Sequence, residues 1–376
     1  MRRHYAAITS RLLLVVVMFV SLLSCGNNDP VKIGFIGGLS GPVSDLGGPS
    51  RNGMLLAIEA INRQGGIGGH HIQTFIKDDK QDPATARKAI AELIKEEVDV
   101  IIGPVTSTMA MAVIDQVNEA QVLMMGVTVT TDELSGKDDY FIRCLASTDI
   151  HAAKVAHYLV DNLGLKSYSA IIDLSNASYT QSWIQHFEQT FKQQGGAKGK
   201  LFEIHSGDHQ GMVETAAEAA AVESDIVVLV TNALDGAILA KILRSHDENI
   251  MLALAEWAGT ERLIELGGRF VENAIVPQYI NNNSTSASYL DFRERYMERF
   301  TIAPGFPSMI AYDATNVVLQ ALQQNADTDA LKQTILSTKN YHGLHGDIQI
   351  DKFGDGTGHT FITQVQNGRF RVKARE

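Results

Sequence analysis

Cysteine is nearly absent: the 376 residues hold two, Cys25 and Cys144. With Cys25 set apart in a leader-like segment, Cys144 has no partner, which excludes a scaffold built on intramolecular disulfides. It reads as a small buried hydrophobe. Basic charge is also short, 32 Lys and Arg against 43 Asp and Glu, with a formal charge of −11 and no long basic run. Nucleic acid is therefore excluded as a default partner, because that binding rests on cations neutralising phosphates. The longest apolar block, Leu12–Leu23 (LLLVVVMFVSLL), has twelve residues, short of the roughly 20 of a spanning helix.

Enzyme signatures are missing as well. The chain has no G-x-G-x-x-G and no G-x-x-x-x-G-K-[ST] phosphate loop, although "IGFIGGLSGP" is glycine-rich. It has no G-x-S-x-G nucleophile elbow. His205 with His209, and His342 with His345, have ligand-like spacing but lie in loop text without a cysteine or a helix to fix them. They read as solvated loop histidines, so neither metal nor cofactor is expected, and no catalytic set emerges.

What is present first is a targeting pattern. Arg2, Arg3 and Arg11 precede the apolar block, which ends in Leu22-Leu23-Ser24-Cys25-Gly26. This matches the bacterial lipoprotein box, in which cleavage before the cysteine leaves its thiol to carry diacylglycerol. The alternatives are an ordinary cleaved signal peptide and an uncleaved anchor. Residues 1–24 are then a lipoprotein signal peptide and 25–30 a tether.

Beyond it the chain alternates apolar runs with helical patterns. Strands are expected at Val31–Gly37, Ile72–Lys77, Val98–Ile102, Val122–Gly126, Ser169–Asp173, Lys200–His205, Asp225–Val230, Ile250–Ala255 and Ala274–Gln278. Runs such as VDVIIG and DIVVLV are near-continuously apolar, the pattern of parallel strands covered on both faces. Asp82-Pro83 opens a helix, followed at helical spacing by Ile90, Leu93, Ile94 and Glu97. Another helix, around Met54 and Ile58, stops at Gly65-Gly66. The fold class is α/β, with too many strands for one sheet and hence two doubly wound parallel-sheet lobes. Helices are expected at Tyr289–Phe300 and Met309–Gln323, a surface loop at Asn281–Ser288, and antiparallel strands in the final "GDIQIDKFGDGTGHTFITQVQNGRF".

Ligands in open α/β sheets bind beyond the carboxyl ends of the strands. The residues there include "PVTST", "VTVTT", "LSNASYT", "TNALD" and "EWAGT". Thr106, Ser107 and Thr108 stand at a helix start, where free N–H groups attract an anion, although such residues also serve as plain N-caps. Glu256 ends an apolar strand. Either it interacts with the dipole of the helix that "GTERLIEL" begins, or it is the counter-ion for an ammonium group. Trp257 beside it either walls a pocket or packs behind it.

These stretches carry a resemblance. "VKIGFIGGLSGPVSDLGGPSRNGMLLAIEAINRQGGIGGHHI", "KDDKQDPATARKAIAELI", "VDVIIGPVTST", "LSGKDDYFIRC" and "PSMIAYDATNVVLQAL" resemble the type I periplasmic binding proteins of ABC transporters, in the Leu/Ile/Val-binding and broader amino-acid group. The resemblance implies two lobes joined by three crossing segments around a ligand cleft, with 31–146 plus 277–345 in lobe 1 and 147–276 plus 346–376 in lobe 2. It implies no catalysis. It places Ser107 on the ligand carboxylate, Thr128 and Thr130 on the amine and carboxylate, Tyr179 in the second lobe's wall and Glu256 on the ammonium; Thr106, Thr108, Asn232 and Trp257 are secondary candidates. Leu46 stands where branched-chain binders offer a tyrosine, Asn232-Ala233 replaces an aromatic pair, and Thr148 replaces an acid. The expectation is a monomeric, lipid-anchored extracytoplasmic protein that captures an amino acid or related small zwitterion and delivers it to ABC permease subunits. The alternative is a sensing domain of the same fold that reports to a signalling partner.

Overall fold

The computed structural model describes residues 29–281, 284–358 and 360–375; the leader and Cys25 lie outside them. Lobe 1 is built on a five-stranded parallel sheet of β1 (Val31–Gly37), β2 (Ile72–Asp78), β3 (Val100–Ile102), β4 (Leu123–Gly126) and β5 (Phe141–Arg143), ordered β2-β1-β3-β4-β5. The second sheet contains parallel strands β6 (Tyr168–Asp173), β7 (Lys200–Ile204), β8 (Ile226–Val230), β9 (Leu252–Leu254) and β10 (Ile275–Gln278). After a separate hairpin, β11 (Asn340–Gly343) and β12 (Gly346–Gln349), the chain returns to the second sheet. There β13 (Phe361–Val365) and β14 (Phe370–Arg375) add antiparallel strands, giving the order β14-β13-β10-β9-β8-β6-β7.

Each sheet is covered on both faces, which is why inner strands such as β3 and β8 are apolar throughout, while the edge strands β2 and β7 carry polar residues as well. One face of each contributes to a core that continues from lobe to lobe, and the opposite faces have cores of their own. The chain passes between the lobes three times: after β5, after β10, and between β12 and β13. The hairpin packs on lobe 1, with Tyr341 and Leu344 in that core. The lobe boundary expected at 345 falls inside the hairpin's turn, and both of its strands remain with lobe 1.

Two local expectations need correction. The helix Pro83–Lys95 starts as read, with the Asp82 side chain accepting from Thr85 N, but it stops short of Glu97, whose φ of 54° places it in the turn beyond. The loop expected through Ser288 ends earlier, because the helix Ala287–Phe300 begins with Ser286 as its cap.

Two glycines set the frame of the cleft. A Cβ on Gly53 would lie 2.0 Å from the Ser308 carbonyl oxygen, so only glycine lets the helices Ser44–Arg63 and Phe306–Gln324 cross this closely. A Cβ on Gly47 would lie 2.1 Å from the Gly38 oxygen. These contacts hold Leu46 and Phe306, one from each helix, at the mouth of the sheet.

Candidate ligand-binding site

The lobes close on a narrow inner chamber of about 10 Å³ lined by Leu46, Val105, Thr128, Asn176, Tyr179, Trp257, Tyr279 and Phe306. No Lys or Arg borders it. The hydroxyl of Thr128 donates to the Val105 carbonyl, which fixes the loop after β4. Tyr179 and Trp183 stand one turn apart on the helix Ala177–Gln193, so their side chains share a face. Both point to Glu256: Tyr179 Oη donates to Oε2 at 3.1 Å and Trp183 Nε1 at 2.9 Å.

Glu256 is fully buried, and its Oε1 has no hydrogen-bond partner among the described residues. Burial pushes its pKa up; its own backbone N–H and the Trp183 and Tyr179 donors offset part of that rise. Solvation lost on burial disfavours the charged carboxylate, and an adjacent cation is what restores it. Glu256 stands behind Tyr179 rather than in the chamber's lining. From there a buried polar chain leads back to lobe 1. The Tyr279 hydroxyl is within hydrogen-bonding reach of Tyr179 and Thr130, and Thr130 Oγ1 accepts from Thr148 Oγ1 at 3.1 Å.

The helix start expected to hold an anion faces the opposite lobe. Thr108 N donates to Asn176 Oδ1 at 3.1 Å, and Thr108 Oγ1 accepts from Ser178 N at 3.2 Å. Ser107 Oγ accepts from Thr130 N and Thr131 N at 3.4 and 3.3 Å, while Thr106 Oγ1 donates to Gln81 Oε1 at 2.9 Å. None of these three residues lines the chamber. Further bonds close the rim: Asp132 accepts from Ser182 at 2.6 Å and pairs with His186 at 2.8 Å. Thr260 Oγ1 donates to Asp45 at 2.8 Å.

Trp257 is a partition. On its other side lies an outer chamber of about 170 Å³, lined by Pro42, Val43, Lys80 and Gln81 from lobe 1 and by Asp173, Ser175, Ser206 and Asn232 from lobe 2. Asn232 thus belongs to this chamber and not to the inner one. Its Oδ1 accepts from Asp235 N at 2.9 Å as the cap of the helix Ala233–His246, and its Nδ2 donates to Ser206 Oγ at 3.2 Å.

Of the expected residues, Thr128, Tyr179 and Trp257 line the inner chamber, Glu256 and Thr130 lie behind it, and Asn232 lies across the partition. Tyr279, Phe306, Asn176 and Trp183 were not anticipated. Tyr279 directly follows β10, so the strand-end rule extended to that strand identifies it. Trp183 is marked by its four-residue spacing from Tyr179, whereas Phe306 carries no local signal. Among the described residues no group of three His, Cys, Asp or Glu is placed to hold a metal.

At the turn after β2, Asp79 is fully buried, its Oδ1 accepting from Gln81 N at 2.8 Å while Oδ2 has no partner. Burial raises its carboxyl from 3.8 to about 6. The folded state therefore holds this proton more tightly than the unfolded chain does. The resulting stability is complete below the ordinary Asp value and is lost as pH rises through about 6; it amounts to something of the order of 3 kcal/mol. Urea midpoints measured across this range should fall with pH in the wild type and flatten in Asp79→Asn. An unaltered slope in the variant assigns the effect to other groups.

Comparison with known proteins adds four findings. The Periplasmic binding protein family profile matches residues 30–369. The Leu/Ile/Val-binding protein BraC3 of Rhizobium johnstonii is 24% identical, covering 88% of this chain and 90% of that protein. Among solved structures, the leucine binding protein LivK of Thermotoga maritima superposes with a TM-score of 0.84 at 24% identity, over 92% of this chain and 98% of the other. A solute binding protein of R. palustris in complex with benzoate gives 0.83 at 17%, over 92% and 96%.

Proposed function

This chain belongs to the periplasmic binding protein family, and from that premise we propose that it captures an amino acid or related small zwitterion between its lobes and delivers it to an ABC permease. Members of the family are extracytoplasmic solute-binding proteins, not enzymes. The observation that carries the ligand class is the buried Glu256, with one oxygen held by Tyr179 and Trp183 and the other unpartnered. An ammonium group supplies the missing partner. A ligand that is only an acid, such as the benzoate of the R. palustris protein, would bring a second negative charge into a site whose inner lining holds no cation.

The proposed mechanism is a shift between open and closed lobes, with the ligand binding the closed form better. Ser107 and the Thr130 hydroxyl on lobe 1 are assigned to the ligand's carboxylate, the Thr128 carbonyl and Glu256 to its amine, and Tyr179 to the wall from lobe 2. A thermal-shift screen of amino acids, small acids and amides tests this. A ligand at a hundred times its Kd stabilises by about 2.7 kcal/mol. A shift with benzoate-type acids and none with any amino acid would overturn the assignment.

The lipid anchor is part of the same reading and rests on Leu22-Leu23-Ser24-Cys25. Expressed at full length in a bacterium, the protein should fractionate with membranes and carry a diacylglycerol mass. Cys25→Ser should lose that added mass and the cleavage before residue 25. A wild-type protein that lacks the added lipid removes the anchor from the proposal.

A further inference from the structure

The outer chamber contains two buried polar atoms that the protein leaves unmatched. Asp173 is fully buried; its Oδ1 accepts from Ser175 N at 2.9 Å and Ser206 N at 3.1 Å, but Oδ2 has no partner. On the partition, Trp257 Nε1 is a donor without an acceptor. Of the other polar side chains here, Asn232 caps its helix and bonds Ser206, Gln81 accepts from Thr106, and Lys80 places an ammonium on the lobe 1 wall. An unmatched buried donor or acceptor is costly, and the residues lining this chamber carry one of each.

We propose that the outer chamber is the subsite for the ligand's side chain, and that this side chain ends in a carboxamide. The proposal rests on the amino-acid reading above. A carboxamide carries its donor and its acceptor on separate atoms, where a hydroxyl has both on one: its NH₂ serves Asp173 Oδ2 and its carbonyl oxygen serves Trp257 Nε1. An aliphatic tail satisfies neither atom. A carboxylate tail has no hydrogen to give Asp173 and sets its charge against it, so that Lys80 on the facing wall is the one group in its favour. An ammonium tail satisfies Asp173 alone. The ligand's amino end then lies on the Glu256 side of Trp257 and its side chain on the other, so one indole contacts both halves.

Titration calorimetry with asparagine, glutamine, glutamate, norvaline and lysine tests the proposal. Glutamine and glutamate have the same shape and differ only in the terminal group. The expected result is that asparagine or glutamine binds at least about tenfold more tightly than the other three, since sites that hydrogen-bond a substrate group reject analogues lacking it. Asp173→Asn keeps the oxygen that Ser175 and Ser206 use and replaces the free one, so it should erase that preference. Trp257→Phe should weaken glutamine binding by a larger factor than norvaline binding, because only the amide loses a hydrogen bond. If Asp173→Asn fails to fold, the wild-type ranking decides the matter unaided. Norvaline, glutamate or lysine binding as tightly as glutamine overturns the carboxamide subsite and leaves the amino-acid reading intact. Failure of every amino acid in the wider screen overturns both.

Discussion

Replacing Glu256 with glutamine should lower affinity for an amine ligand by about two to three and a half decades while leaving the ligand-free protein at least as stable. Removing one member of a buried charge pair costs roughly 3–5 kcal/mol, at about 1.4 kcal/mol per decade. The ligand-free protein behaves differently because Glu256 is buried with Oε1 unpartnered, a cost that the neutral amide reduces. Glutamine also keeps an oxygen for Trp183 Nε1 and Tyr179 Oη. The sign of the pH effect follows. Burial raises the Glu256 carboxyl, so its contribution to ligand-free stability is complete below the ordinary Glu value and declines as pH rises through the folded one. Ligand binding favours the ionised form, so wild-type affinity should rise across the same window, and Glu256→Gln should abolish the rise. Calorimetry at two pH values and a melting curve check all three statements. Unchanged affinity would remove the ammonium from the site. Ser107→Ala should cost less, because backbone N–H groups at the helix start remain; an equal or larger loss would make Ser107 the principal anchor.

The second large effect concerns Trp183, which is fully buried, stacks on Phe187 at 5.1 Å and 13°, and donates to Glu256. Trp183→Ala should destabilise the protein by about 3–5 kcal/mol, read as a lowered urea midpoint. Trp183→Phe separates packing from chemistry. The smaller ring retains most of the stacking, but Glu256 Oε2 then accepts from Tyr179 alone. Stability should recover by at least about 1 kcal/mol relative to alanine. Ligand affinity at neutral pH should stay low, because an ionised Glu256 has lost a donor worth about 1.5–3 kcal/mol. A phenylalanine variant that binds like the wild type would reduce Trp183 to a packing residue.

How legible was this in the sequence? The nine parallel strands expected all appear, and the inner ones, such as β3 and β8, are marked in the sequence because burial on both faces leaves an apolar run. β5 does not appear among the expected strands, and Arg143 shows why. Its side chain is fully buried against Asp355, the Thr131 carbonyl and Ser135, partners as far as 212 positions away. A three-residue strand ending in arginine looks like a loop until those partners are known. The site divides in the same way. Glu256 announces itself as a charge at the end of an apolar strand. Phe306 reaches the inner chamber only through the close crossing at Gly53, a contact made by backbone. Trp257, left open between wall and packing, turns out to face two chambers at once.

Tyr279 has a consequence for timing. It stands on a crossing segment directly after β10, so the proposed closure should move it less than it moves Glu256 or the helix start at Ser107. A ligand can therefore be tested against its ring on first arrival, before the lobes commit. Selection at this tyrosine acts on encounter and entry, whereas selection at Glu256 acts on escape. Substitutions at Tyr279 should accordingly appear in the association rate and those at Glu256 in the dissociation rate, the quantity in which most affinity differences between related complexes reside.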